Sequence, residues 1–113
     1  MLPRALRLTR SSDIQDTVSS GRRFSTPYTR VYFRYSNLGQ PRVACVVGKK
    51  VDQLATNRHK YQRWLREIIK DLLPALPPLD IVLVGQPSLK NQNITYQDLK
   101  SSLASLPAKL NNK

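Results

Sequence analysis

The sequence predicts a small α+β sandwich whose elements follow one another in the order α-β-β-α-β-α. Residues 28–35 are rich in aromatic and β-branched side chains and alternate between two faces, as half-buried strands do. Residues 61–72 carry apolar side chains at helical spacing, and residues 80–85 form a continuous apolar run typical of a buried, parallel strand. A length of 113 residues suits one domain, so we expect a single domain over residues 1–113.

The N-terminal part of the chain is predicted as a basic arm followed by a short helix. Residues 1–10 place arginines among leucines and are predicted as an irregular basic arm. Ser12 and Gln15 have the spacing of a capping box, which satisfies free amides at the start of a helix. Gly21 is a natural helix stop, so a helix is predicted over residues 13–20.

Two strands are predicted next, separated by turn-forming residues 36–41. They cover residues 28–35 and 42–48, and we expect them to pair as an antiparallel hairpin. Rings and cations interleave on one face of the first strand, where they can stack on bases and neutralise the backbone of single-stranded RNA. They can equally pack against a core, and the pattern leaves both interpretations open. The residues on this face are Tyr28, Arg30, Tyr32 and Arg34.

A basic helix is predicted from residue 58, with Thr56 or Asn57 as its cap, and it ends before Pro74. Its apolar stripe should face the core while the opposite stripe carries cations. The apolar stripe comprises Tyr61, Leu65, Ile68 and Leu72, and the opposite stripe comprises His59, Arg63, Arg66 and Lys70.

The C-terminal third of the chain should complete the fold. After the apolar strand at residues 80–85, Thr95 and Asp98 have the spacing of a helix cap, and leucines at helical spacing follow them. These signals predict a final amphipathic helix. Residues 107–113 are predicted as a frayed tail.

The charge of the chain points to an anionic partner. Nineteen Lys and Arg oppose seven Asp and Glu, which gives a net charge of +12. The segment 58–70 holds five Lys and Arg but one acid, so ion pairs within the helix cannot neutralise it. Arginine is favoured where phosphates are contacted by two parallel hydrogen bonds. The sequence therefore predicts nucleic-acid binding, above all through the basic helix.

Catalysis by protein side chains is weakly supported. His59 has only Glu67 as a nearby carboxylate, two turns away, so we expect a solvated or phosphate-contacting imidazole. Cys45 stands alone in an apolar run, where a thiol behaves as a small hydrophobe. Asp13 and Asp16 could hold a metal ion, but such pairs are more often surface charge near a helix start. Neither a bilayer-spanning run nor a signal peptide is visible, so a cytoplasmic location is expected.

The order of motifs along the chain resembles a known family. Residues 58–67 read Arg-His-Lys-Tyr-Gln-Arg-Trp-Leu-Arg-Glu, and they follow Lys49 and Lys50. This segment is similar to the Arg-Asn-Arg-x-Lys-Arg-x-x-Arg-Glu hallmark of the bacterial ribonuclease P protein component. His59 and Gln62 depart from the hallmark. Segments similar to the family also occur, in its order, at Arg7-Leu8, Asp13-Ile14-Gln15, Gly21-Arg22, Leu79-Asp80-Ile81-Val82 and Tyr96-Gln97-Asp98-Leu99.

The resemblance implies the protein subunit of a ribozyme that removes the 5′ leader from precursor tRNA. Its RNA subunit would perform the hydrolysis with magnesium, which the RNA-containing holoenzyme requires, and no cofactor is assigned to the protein. The implied partners are the catalytic RNA and precursor tRNA, with neither a membrane nor a protein partner. A left-handed β-α-β crossover is also implied, against the usual right-handed rule. The second candidate is a ribosome-associated RNA-binding protein, and the third is a stand-alone nuclease.

The resemblance further implies two RNA-binding surfaces, with no catalytic residue and no metal ligand in the protein. One lies on the basic helix and the loop before it. The other is a cleft between the first helix and the sheet that grips the single-stranded leader. The helix surface comprises Lys49, Lys50, Arg58, His59, Lys60, Gln62, Arg63, Arg66 and Lys70. In the cleft, Tyr32 matches a family tyrosine, Ile14 and Val18 stand where the family often has aromatic residues, and Phe24, Tyr28 and Arg30 are further candidates.

Overall fold

The computed structural model describes residues 8, 11–35, 41–90 and 94–107. Most of the predicted arm, most of the predicted turn and all but the first residue of the predicted tail lie outside these residues. The mixed α+β class is confirmed, and one strand is added to the predicted order. In chain order the elements are α1 (Ser11–Ser20), β1 (Arg22–Ser25), β2 (Thr29–Tyr35), β3 (Arg42–Val46), α2 (Ala55–Leu72), β4 (Leu79–Gly85) and α3 (Tyr96–Leu103).

The four strands form one sheet in the order β1-β2-β4-β3. β2 pairs antiparallel with β1 and β4, whereas β3 pairs parallel with β4. The predicted hairpin between residues 28–35 and 42–48 is therefore wrong, because β4 lies between those two strands. β4 is the continuous apolar strand, and burial of both its faces favours a central position in the sheet. The connection from β3 through α2 to β4 is a crossover between parallel neighbours.

β1 is missing from the sequence-based prediction because four residues with two arginines show no apolar alternation. It follows α1 directly, through Gly21. A Cβ on Gly21 would lie 2.4 Å from the Thr17 oxygen and 2.5 Å from the Phe33 oxygen. Both neighbours are backbone atoms that cannot move aside easily, so this tight connection between α1 and the sheet requires glycine.

The start of α2 differs from its prediction. The N-cap residue is Leu54, whose side chain caps nothing, so the predicted caps Thr56 and Asn57 are wrong. Both residues lie within the first turn of the helix. The Asn57 side chain instead donates to the buried carboxylate of Asp52 at 2.9 Å, and the Leu54 amide donates to the same carboxylate at 3.0 Å. Asp52 thus organises the loop that leads into α2.

The other two helices start close to their predicted positions. α1 begins at Ser11, so Ser12 lies inside the helix rather than at its cap. The capping box of α3 is confirmed, since the Thr95 hydroxyl accepts from the Asp98 amide and the Asp98 carboxylate accepts from the Thr95 amide. Among the described residues, no helix has both the length and the apolar composition that a bilayer-spanning helix needs.

The sheet separates two packed regions, and this separation positions the functional surfaces. One face is covered by α2 and α3 and holds most of the core, including Val31, Phe33 and Ile81. The other face is covered by α1, and we call it the α1 face. Its core is small and comprises Leu8, Tyr32, Ala44 and Val82, with Ile14 and Val84 packed against them.

Candidate RNA-binding surfaces

α2 presents a cationic stripe to solvent, as its periodicity predicts. Tyr61, Leu65 and Ile68 are buried on the inner side of the helix. Side chains on the outer side can therefore meet phosphate groups without first losing core contacts. The exposed residues of this outer stripe are His59, Arg63, Arg66 and Lys70.

Two other predicted RNA contacts lie on opposite flanks of α2. The Lys60 ammonium lies 5.0 Å from the centroid of the Tyr61 ring and 5.2 Å from that of Trp64, where ring faces attract cations. Trp64 in turn makes a T-shaped contact with the Tyr96 ring, with 6.1 Å between centroids, so this flank packs on α3. The Gln62 amide donates to the Cys45 carbonyl at 3.5 Å, on the flank that faces β3. The structure does not bring Lys60 and Gln62 together.

Arg58 has a structural function beside its predicted RNA contact. Its Nη1 donates to the carbonyl oxygens of Asp52 at 3.1 Å and Gln53 at 3.0 Å. These bonds tie the loop before α2 to the helix. Lys49 and Lys50 are exposed earlier in the same loop, where the Val51 amide donates to the Gly48 carbonyl at 3.1 Å.

The α1 face brings together part of the predicted leader cleft. Ile14 packs from α1 against the cluster that contains Tyr32, while Val18 is 38% exposed one turn further along α1. The Tyr32 side chain is only 9% exposed, and its hydroxyl accepts a long hydrogen bond from Arg30 Nη1 at 3.5 Å. Val46 extends the same face from β3 and is 39% exposed. The face therefore offers a half-open apolar surface with a largely covered tyrosine.

Phe24 and Tyr28 lie on the opposite side of the sheet from Tyr32. The Phe24 ring meets the Phe33 ring edge-on, with 5.9 Å between centroids, in the core beneath α2. Tyr28 packs against the cluster formed by α2 and α3. Tyr28 precedes β2, so the alternation that predicts a shared face with Tyr32 does not extend to it. The structure thus separates both residues from the α1 face.

An ion pair that the sequence does not reveal, between the half-buried Arg42 and the buried Asp80, fixes one end of the α1 face. Arg42 Nε and Nη2 donate to the two carboxylate oxygens of Asp80, both at 2.9 Å. The hydrogen bonds to Asp80 raise the pKa of Arg42, and this effect exceeds the lowering that burial causes. Arg34 Nη2 lies 3.7 Å from the same carboxylate, and Arg42 Nη1 lies 3.8 Å from the Asp13 carboxylate on α1. Three strands and α1 therefore meet through one network.

That network is hard to find by sequence patterns because it depends on strand pairing. Arg42 and Asp80 are partners in the parallel register of β3 and β4. They are far apart in the chain, and the predicted hairpin places β3 beside β2 instead. The only available signal is an acidic residue at the start of the most apolar strand, since a buried carboxylate requires a cationic partner.

The remaining reactive side chain is Cys45. Burial raises the pKa of its thiol to about 12, so the group is neutral near pH 7 and a poor nucleophile. Across residues 8, 11–35, 41–90 and 94–107, no three His, Cys, Asp or Glu side chains are grouped as metal ligands. The outer stripe of α2 offers cationic groups, with the exposed Glu67 beside them, and the α1 face offers apolar groups.

Comparison with known proteins agrees with this arrangement. The family model described as Ribonuclease P matches residues 2–111. The ribonuclease P protein component of Pseudanabaena sp. (strain PCC 6903) is 34% identical over 111 residues, which cover 96% of this chain and 94% of that protein. The component from Mycolicibacterium paratuberculosis is 33% identical, with 96% and 97% covered.

Solved structures agree as well. The RNase P protein from Thermotoga maritima, solved with 1-(4-fluorophenyl)-2-thiourea, superposes with a TM-score of 0.81 at 27% identity and covers 95% of this chain and 99% of its own. The RNase P protein of Staphylococcus aureus gives a TM-score of 0.84 at 24% identity, covering 96% and 100%, and supports the fold. The family match spans nearly the whole chain, and the relatives match along nearly their whole length. The chain therefore belongs to the ribonuclease P protein component family.

Proposed function

We propose that this chain, as the protein subunit of ribonuclease P, binds the catalytic RNA through α2 and the 5′ leader of precursor tRNA on the α1 face. RNA binding and tRNA processing follow from the family. The finer assignment to two surfaces is supported by one observation. The exposed cations of α2 and the half-open α1 face lie on opposite sides of the same sheet.

The proposed contact with the catalytic RNA is electrostatic. A net charge of +12 favours association with a polyanion, and each neutralised phosphate releases bound counterions. The outer stripe of α2 supplies cations on a rigid helix, and the loop with Lys49 and Lys50 extends it. We expect this surface to bind with strong salt dependence and little sequence preference.

The proposed contribution to the reaction is positioning. A leader held on the α1 face aligns the scissile phosphate with magnesium ions bound by the RNA subunit, which performs the hydrolysis. Fixing the substrate in a reactive geometry lowers the entropic part of the barrier. The protein then needs no catalytic side chain of its own.

Affinities for precursor and mature tRNA test the leader assignment. The RNA subunit is measured alone and with the protein, at one magnesium concentration. One charge-assisted hydrogen bond to the leader is worth about 1.5–3 kcal/mol, so we expect the protein to tighten precursor binding by roughly ten- to hundredfold. Mature tRNA, which lacks the leader, should bind almost equally in both cases.

Other outcomes would favour other functions. If the protein tightens the binding of precursor and mature tRNA equally, RNA binding by α2 stands but leader binding on the α1 face is contradicted. Co-purification with ribosomal particles, without a large processing RNA, would favour a ribosome-associated protein. Cleavage by the pure protein without RNA would indicate a stand-alone nuclease.

A further inference from the structure

Three arginines surround Tyr32 on the α1 face. Arg23 is the direct partner of Tyr32 across the β1–β2 ladder, so both side chains lie on the same side of the sheet. Arg30 and Arg34 precede and follow Tyr32 by two positions in β2 and therefore share its face. Arg23 and Arg30 are exposed and Arg34 is half-buried.

The acidic groups of this face neutralise another arginine. Arg42 binds both oxygens of the Asp80 carboxylate, whereas Arg34 approaches that carboxylate only to 3.7 Å. Among the residues that the structure describes, Arg23 and Arg30 take part in no ion pair. Positive charge therefore remains uncompensated beside Tyr32.

The α1 face near Tyr32 offers few exposed rings on which bases could stack. Tyr32 is 9% exposed, with Leu8, Ala44 and Val82 packed around it. The nearby α1 residues Ile14 and Val18 are aliphatic and offer no π-face to a base. An RNA strand on this surface would meet guanidinium groups more readily than rings.

We propose that Arg23, Arg30 and Arg34 form a phosphate-binding track that takes the sugar-phosphate backbone of the leader. The inference rests on the proposed leader-binding function of the α1 face and names the chemistry that it uses there. Arg30 and Arg34 are four residues apart, about 13.6 Å along β2, and Arg23 lies beside their midpoint at Tyr32. Neighbouring cations of the track are therefore about 8 Å apart, close to the spacing of successive phosphates in an extended single strand. Recognition by this track depends on charge and strand geometry, so leaders of different sequence bind alike.

The test compares neighbouring arginines on opposite faces of β1. Arg22 is exposed like Arg23, but its ladder partner is Phe33, which faces α2. Holoenzymes that carry Arg22→Gln, Arg23→Gln or Arg30→Gln are titrated with precursor and mature tRNA over a range of salt concentrations. Thermal melts of each variant confirm that it is folded.

Arg23→Gln and Arg30→Gln should each lower the salt slope of precursor affinity by about 0.7, the value for one phosphate contact of a single strand. At 0.1 M salt this corresponds to roughly fivefold weaker precursor binding. Arg22→Gln should match the wild type, and mature tRNA should bind all variants equally. Oligo-A and oligo-U leaders should show the same losses.

The outcomes separate this inference from the function on which it rests. If the wild-type protein favours precursor over mature tRNA but Arg23→Gln and Arg30→Gln behave like Arg22→Gln, the track is refuted and leader binding stands. Losses that differ between oligo-A and oligo-U leaders would also refute a backbone track. If the wild-type protein shows no preference for precursor, the proposed leader binding itself fails.

Discussion

Replacing Asp80 with alanine should lower the free energy of unfolding by about 2–3 kcal/mol, because the change removes two charge-assisted hydrogen bonds and leaves the half-buried Arg42 guanidinium without its main partner. The Asp80 carboxylate accepts two hydrogen bonds of 2.9 Å from Arg42 and is almost completely buried. Urea unfolding followed by circular dichroism measures the loss. Asp16→Ala, on the exposed side of α1, is the matched control and should stay within about 0.5 kcal/mol of the wild type.

A double variant tests whether that loss comes from the unpaired charge. Arg42→Leu/Asp80→Leu removes both members of the pair and should lose clearly less stability than Asp80→Ala, since apolar replacements of buried pairs are often nearly neutral. A loss below about 1 kcal/mol for Asp80→Ala would contradict the structural importance of the pair.

Neutralising the outer stripe of α2 should have the largest effect on RNA binding. The triple variant Arg63→Gln/Arg66→Gln/Lys70→Gln removes three exposed cations without touching the core. If each contacts one phosphate, the salt slope falls by about 0.9 for each contact and affinity for the RNA subunit falls on the order of 10² to 10³-fold at 0.1 M salt. Titration of the RNA subunit at several salt concentrations measures both quantities.

Two single variants keep that result interpretable. Lys100→Gln removes an exposed cation from α3 and should leave the salt slope unchanged, whereas Arg63→Gln alone should lower it by about 0.9. Arg58 is omitted from the triple variant because its bonds to the loop carbonyls make its loss a stability change as well. A wild-type slope in the triple variant would show that this stripe is merely solvated.

Local patterns predicted the helices well. The apolar stripe of α2 and the capping box of α3 depend on residues within one helix, so spacing alone is sufficient to locate them. The cap of α2 was harder, because the buried Asp52 carboxylate organises that loop and no side chain caps the helix.

Strand pairing, by contrast, could not be predicted from local patterns. Adjacent strands usually pair, and that rule fails here because the apolar β4 separates β2 from β3. The alternation within β2 correctly divided Phe33 from Tyr32, but it wrongly placed Tyr28 beside Tyr32, because Tyr28 lies in the loop before β2. It gave no means of placing Phe24, which depends on β1. The Arg42–Asp80 pair could not be predicted either, because it depends on the pairing of β3 with β4.

Cleavage of precursor tRNA at low magnesium measures whether the protein assists leader removal by the RNA subunit. The candidate RNA subunit is assayed alone, with the wild-type protein and with the α2 triple variant, and the protein is also assayed without RNA. We expect the wild-type protein to accelerate leader removal by the RNA, the triple variant to give little acceleration, and the protein alone to yield no product. Equal cleavage rates with and without the wild-type protein, or product formed by the protein alone, would contradict the proposed function.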